Sequence, residues 1–92
     1  MDEPAAFATY HLRSSRIFRL LPLRCQYGLI DSLNRHLPVA LEQNLTAQGA
    51  KEQLREDVLR DIQTKMPSWV IMMIVQFIIK FIVEKLIDEY GP

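Results

Sequence analysis

Eleven consecutive residues, Trp69 to Ile79 (WVIMMIVQFII), hold a single polar side chain, Gln76. At about 100° per residue their side chains point in every direction around a helix, so no face is left for water. A helix that is apolar all round has to be enclosed, by a protein core or by lipid. The other residues read as too few and too polar to enclose it. The expectation is an all-α chain without an autonomous globular core, which finishes its burial against something else.

Composition narrows the alternatives. A chain of 92 residues holds one small domain. Its apolar fraction of 49% is ordinary, but residues 66–83 carry Lys80 as their only charge, whereas residues 41–66 are rich in charge. Eleven basic and eleven acidic residues cancel, so net charge argues neither for nucleic acid nor for an anionic surface. Cys25 stands alone and reads as a small buried apolar residue. His11 and His36, far apart and with one cysteine, give no zinc spacing. Neither a glycine-rich phosphate loop nor a Ser-His-Asp or Cys-His pattern is visible. The expectation is therefore a non-enzymatic protein with no cofactor and no metal. The acidic opening Met1-Asp2-Glu3-Pro4 and the lack of an apolar run in the first fifteen residues give no secretory signal, so the sequon Asn44-Leu45-Thr46 reads as chance.

Three segments follow from the patterning. Residues 1–22, bracketed by Pro4 and Pro22, read as a basic N-terminal arm with a helical turn or two around Ser15–Leu21. The arm and the residues after it carry Arg13, Arg16, Arg19 and Arg24, with no acidic residue between Glu3 and Asp31. Ile17, Phe18, Leu20 and Leu21 are interleaved among them. Such an arm suits phosphates of nucleic acid, anionic headgroups or an acidic protein groove, or else its arginines pair with nearby carboxylates.

Residues 23–66 read as an amphipathic helical region. Tyr27, Ile30, Leu33 (or Leu29) and Leu37 fall on one stripe, and Pro38 is expected to end or interrupt that helix. Beyond it, Leu54, Val58 and Ile62 form an i,i+4 row with Leu59 beside it, suited to a partner helix, and Leu41 and Leu45 extend the row if Gly49 does not break it. Charged residues from Lys51 to Lys65 surround the row, with Glu56–Arg60 and Asp61–Lys65 as favourable i,i+4 pairs.

Residues 67–92 read as a long hydrophobic C-terminal helix opened by Pro67 and stopped by Gly91-Pro92 near Tyr90. Lys80, Glu84, Lys85, Asp88 and Glu89 gather in one sector of its second half, with Lys80–Glu84 as a further i,i+4 pair. The start of the helix is thus expected to be engulfed and its end to meet water.

Lipid and protein remain the two possible enclosures. A bilayer core asks for about 20 mostly apolar residues. The uncharged run Met66–Ile79 has fourteen and reaches eighteen at Val83 if Lys80 snorkels. Arg55, Arg60 and Lys65 before the segment put the N-terminus in the cytoplasm if it spans. In either case the inserting residues are Trp69, Val70, Ile71, Met72, Met73, Ile74, Val75, Phe77, Ile78, Ile79, Phe81 and Ile82. The reading that results is a small structural subunit of a larger, membrane-associated assembly, with homo- or hetero-oligomeric partners. One rival is a pore-forming or membrane-perturbing protein in the style of small lysis proteins or toxins, with Gln76, Lys80 and Glu84 lining a wet lumen. Another is a virion component whose arginine arm contacts nucleic acid.

Overall fold

Prolines and short polar caps cut the chain into its helices. The computed structural model describes residues 3–65 and 68–92. It contains α1 (Glu3–Arg13), α2 (Arg16–Arg19), α3 (Leu23–Gln43), α4 (Ala47–Gln63) and α5 (Trp69–Tyr90), and no strand among the described residues. The expected all-helical class is what the chain adopts. The expected helix start at Pro67 lies outside the described residues.

Local chemistry explains most boundaries. Ser15 caps α2, its side chain accepting from the Phe18 amide at 3.4 Å. Pro22 then opens α3, and Gln26 Nε2 donates to the Leu21 carbonyl at 2.8 Å, satisfying the end of α2. Thr46 caps α4 by accepting from the Gly49 amide at 3.1 Å, so the helix begins just before this glycine and does not bend at it. A Cβ at position 49 would sit 2.7 Å from Asn44 Oδ1, which explains why the smallest residue stands there. Asn44 Nδ2 in turn donates to the Ala40 carbonyl at 2.8 Å and to Gln53 Oε1 at 2.7 Å, locking the α3–α4 turn. Ser68 caps α5, accepting from the Ile71 amide at 3.5 Å.

Two expectations about the first half of the chain are corrected. Residues 3–13 are not arm but helix, and α1 packs against both α3 and α5. Its buried face is Ala5, Ala8 and Leu12, a stripe at helical spacing whose alanines carry little hydrophobic weight in a sequence but let backbones approach closely. Pro38 does not end a helix either, since α3 runs through it to Gln43. Pro38 and Asn34, whose carbonyl loses its ladder partner, are both exposed, while Leu37 and Ala40 on the other side are buried. The missing bond thus faces water, and core contacts carry the helix onward. The short helix within Ser15–Leu21 was expected and forms.

The long helices alternate in direction. The α3–α4 hairpin is closed by its short turn, α5 returns antiparallel to α4, and α1 runs antiparallel to α5, with the Phe7 and Tyr90 rings edge-on at 5.5 Å. Contacts between α1 and α3 complete a ring of four helices, and α2 plugs one end with the fully buried Phe18. The inner positions are Leu29, Leu33 and Leu37 from α3, Leu54, Val58 and Ile62 from α4, and Ile78, Ile79, Ile82, Val83, Leu86 and Ile87 from α5. Tyr27, expected on the α3 stripe, is exposed; Cys25, Leu29 and Leu33 define the buried side instead.

The chain therefore does build its own core, which corrects the expectation that it lacks one. Its radius of gyration is 12.2 Å, and a compact domain of this length is expected near 12.3 Å, about the same. Leu54, Val58 and Ile62 are each fully buried, and the helices they meet are α3 and α5 of the same chain rather than an external partner. Truncating a side chain in this layer should expose the dependence. Leu54→Ala is expected to cost about 2–5 kcal/mol and to lower the melting temperature by at least about 10 °C. Leu45→Ala, at a position 97% exposed, should change stability by less than about 0.5 kcal/mol. Thermal melts of the two variants measure the contrast.

Candidate functional site

Burial splits α5 lengthwise into two faces. Val75, Ile78, Ile79, Ile82, Val83, Leu86 and Ile87 point into the core. Opposite them, in the first three turns, Trp69 is 72% exposed, Met73 61% and Phe77 63%, with Val70 beside them. Further along the same outer sector come Lys80, Glu84 and Asp88. The outward stripe of α5 is thus apolar in its first half and charged in its second. This reverses the expected gradient: the first half is the open one and the second half is the better enclosed.

The residues expected to insert divide accordingly. Trp69, Val70, Met73 and Phe77 are free to meet a partner. Ile71, Met72 and Ile74 are half-buried against the core, Phe81 is half-buried beside Phe77 and under Lys85, and Val75, Ile78, Ile79 and Ile82 belong to the core. No helix among the described residues is long and apolar enough to cross a membrane.

Phe77 stands between two grooves. On one side α4 and α5 leave an open trough of about 510 Å³ floored by Leu59, Met73, Phe77 and Ile79 and rimmed by Arg55, Glu56 and Lys80. On the other, His11, Ser14 and Ser15 from the end of α1 face Phe77 and Phe81 across about 380 Å³. Arg55, Glu56 and Lys80 make no ion pair among the described residues. The rim therefore presents both signs of charge, unneutralised, around an apolar floor.

The charged half of the stripe is closed from within. Lys51 Nζ of α4 bridges Glu84 Oε2 and Asp88 Oδ1, each at 3.0 Å. The first of these carboxylates, then the second, raise the Lys51 pKa above its ordinary 10.5. Glu84 and Asp88, read from sequence as solvated, are in fact the clamp that fastens α5 to α4. Gln76, Lys80 and Glu84 do share the outer face of α5, but Glu84 is tied to Lys51 rather than facing a lumen.

A second polar cluster pins α3 to α4. Asp61 Oδ2 accepts from Ser32 Oγ at 2.8 Å and from Arg35 Nη2 at 3.0 Å, and His36 Nε2 lies 2.7 Å from the same oxygen. Arg35 Nε also donates to Asp31 at 2.9 Å. Serine, histidine and aspartate thus meet, although the sequence gives no hint of it. A nucleophile relay needs the imidazole between hydroxyl and carboxylate. Here the carboxylate lies between the other two, and Ser32 is fully buried. The arrangement is a structural clamp. It also takes Asp61 away from Lys65, and Arg60 pairs with Asp57 at 3.2 Å, so neither expected i,i+4 pair of this helix forms.

The four arginines expected to contact anions are exposed and make no ion pair with any described residue. Arg13 and Arg19 line one groove with Leu23 and Tyr27. Arg24 lines another with Lys65 and Gly28. Arg16 is exposed on α2. The alternative of arginines neutralised by neighbouring carboxylates is not what the fold provides. No group of three or more His, Cys, Asp or Glu side chains suited to a metal ion occurs among the described residues.

No family model, no curated protein and no solved structure matches the chain. The geometry alone has to speak for function.

The Asp61 clamp makes a testable statement. The Ser32 hydroxyl, then His36 and Arg35, hold the Asp61 pKa below its ordinary 3.8. A carboxylate with a lower pKa folded than unfolded adds stability that is present above the unfolded value and lost as pH falls through the folded one. Asp61→Ala, which strands the buried Ser32 hydroxyl, is expected to cost about 1–3 kcal/mol near neutral pH. Denaturant melts of wild type and variant should converge as the pH is lowered below about 4.

Proposed function

We propose that the chain is a small non-enzymatic assembly subunit, and that the opening turns of α5 are its contact with a second copy of itself. The observation that carries this reading is the exposed set Trp69, Val70, Met73 and Phe77 on a helix whose other side is finished core. A contiguous apolar surface on a small domain marks an interaction site. Aromatic side chains and methionine are the residue types enriched at such contacts. Helix-in-groove docking reads its anchors at i, i+3, i+4 and i+7, and Val70, Met73 and Phe77 stand at i, i+3 and i+7 with Trp69 one turn before Met73.

The rim argues for self-association. A two-fold contact places one surface against itself, so each residue meets its counterpart's neighbour. Arg55 and Lys80 on one copy would face Glu56 on the other, and the reverse, pairing charges that have no partner within one chain. A partner with a uniformly acidic or basic surface leaves one sign of this rim unmatched.

The chain's only tryptophan lies in the contact. As the concentration of the full chain rises, sedimentation velocity should show a shift from monomer to a larger species, with Trp69 emission moving to shorter wavelength over the same range. Phe77→Glu is expected to keep the protein monomeric and Trp69 solvent-exposed without lowering the melting temperature. A species that stays monomeric at every concentration, with fully exposed tryptophan emission, overturns the reading.

A further inference from the structure

The neutral sum of charges hides a strong separation along the molecule. α1 ends, α2 lies, α3 begins, α4 ends and α5 begins at the same pole of the bundle, as the antiparallel order requires. That pole gathers Arg13, Arg16, Arg19, Arg24 and Lys65, and no carboxylate pairs with any of them among the described residues. The opposite pole holds the start of α1, the α3–α4 turn and the end of α5, with Glu3, Glu42, Glu52, Glu84, Asp88 and Glu89 against Lys51 and Lys85. Over a body 35 Å long, the chain is a charge dipole with a basic end.

The basic end is also apolar. Leu20 is 78% exposed and Leu23 65%, with Ile17 partly exposed between the arginines of α2. The fold has buried Phe18 and Leu21 from the same segment, so these three are left on the outer side by the register of α2 and the turn into α3.

From this combination we infer that the basic pole is a docking surface for an anionic lipid bilayer. Unpaired cations are drawn to acidic headgroups within about a Debye length of the surface. Aliphatic side chains set among those cations gain by entering the headgroup–acyl boundary. A nucleic acid would satisfy the cations but offers nothing to Ile17, Leu20 and Leu23, which is why lipid is favoured over a phosphodiester backbone. The dipole sets the pose: the basic pole turns to the leaflet and the acidic pole away, the bundle standing on the surface without spanning it. The pole uses none of the residues of the α5 contact, although α5 opens at the same end of the bundle, so substitutions in one set leave the other in place.

The test uses the full chain with two kinds of vesicle, pure phosphatidylcholine and phosphatidylcholine containing phosphatidylserine. Co-sedimentation is expected with the serine-containing vesicles only, weakening as salt is raised. The triple variant Arg13→Gln, Arg19→Gln, Arg24→Gln removes three exposed, unpaired charges. It should keep the wild-type melt and lose affinity on the order of a hundredfold at low salt. Phe77→Glu should bind vesicles as wild type does, which separates this proposal from the α5 contact. Equal binding to both vesicles, or undiminished binding by the triple variant, overturns it. So does capture by a duplex RNA competitor with no vesicle binding, which would assign the pole to nucleic acid. Should the triple variant fail to fold, wild-type binding that is indifferent to salt overturns it on its own.

Discussion

The inner face of α5 is the constraint on which the rest of this structure depends. Nine of its 22 residues are β-branched valine or isoleucine. Such side chains lose rotamer freedom in a helix, so local preference alone holds this segment weakly. Packing supplies what propensity does not, because α1, α2 and α4 all lie against α5. The dependence is mutual. α1 has two alanines and one leucine on its buried face, too little apolar surface to fold alone, and its place is set by the isoleucines it covers. Remove the α5 layer and three helices lose the surface that defines them.

Polar contacts then fix what packing leaves free. An apolar interface tolerates sliding, whereas Lys51 between Glu84 and Asp88 fixes the register of α4 on α5, and Asp61 between Ser32, Arg35 and His36 fixes α3 on α4. Both clamps centre on α4 and join it to residues far apart in sequence. Among the described residues no comparable clamp crosses to the first half of the α5 outer face. That half is held from behind by its core contacts and is left unoccupied in front.

How much of this was readable from sequence depended on whether a residue's environment is set locally. The Leu54, Val58 and Ile62 row, the helical turn after Ser15 and the hydrophobic bulk of α5 all follow from spacing or capping, and each is in place. What spacing does not carry is the identity of the neighbour. The spacing of Leu54, Val58 and Ile62 shows a dry edge that wants a neighbour, but not that the neighbour is in the same chain. An α3 carried past Pro38 supplies Leu37 and Ala40 to the same core. α1 escaped notice because Ala5 and Ala8 pack by closeness, which hydrophobicity does not register. The expected i,i+4 ion pairs fail for a related reason: a carboxylate within reach of a better partner on another helix takes it, and local spacing cannot foresee that.

The same logic explains why the exposed apolar residues are informative where most exposed apolar residues are not. Folding accounts for the buried face of α5 and for the clamps, and those contacts are complete within the chain. It gives no reason for tryptophan, methionine and phenylalanine at Trp69, Met73 and Phe77, since glutamate or lysine there would leave the core untouched and would favour solubility. Nor does it give a reason for arginines that make no ion pair among the described residues beside leucines that stay largely exposed. A chain able to place Lys51 between two carboxylates has the means to neutralise its charges, and at the basic pole it does not do so. Side chains that stability does not require, set together in two groups on the surface, are what the proposed contacts with a second copy and with a lipid surface would use.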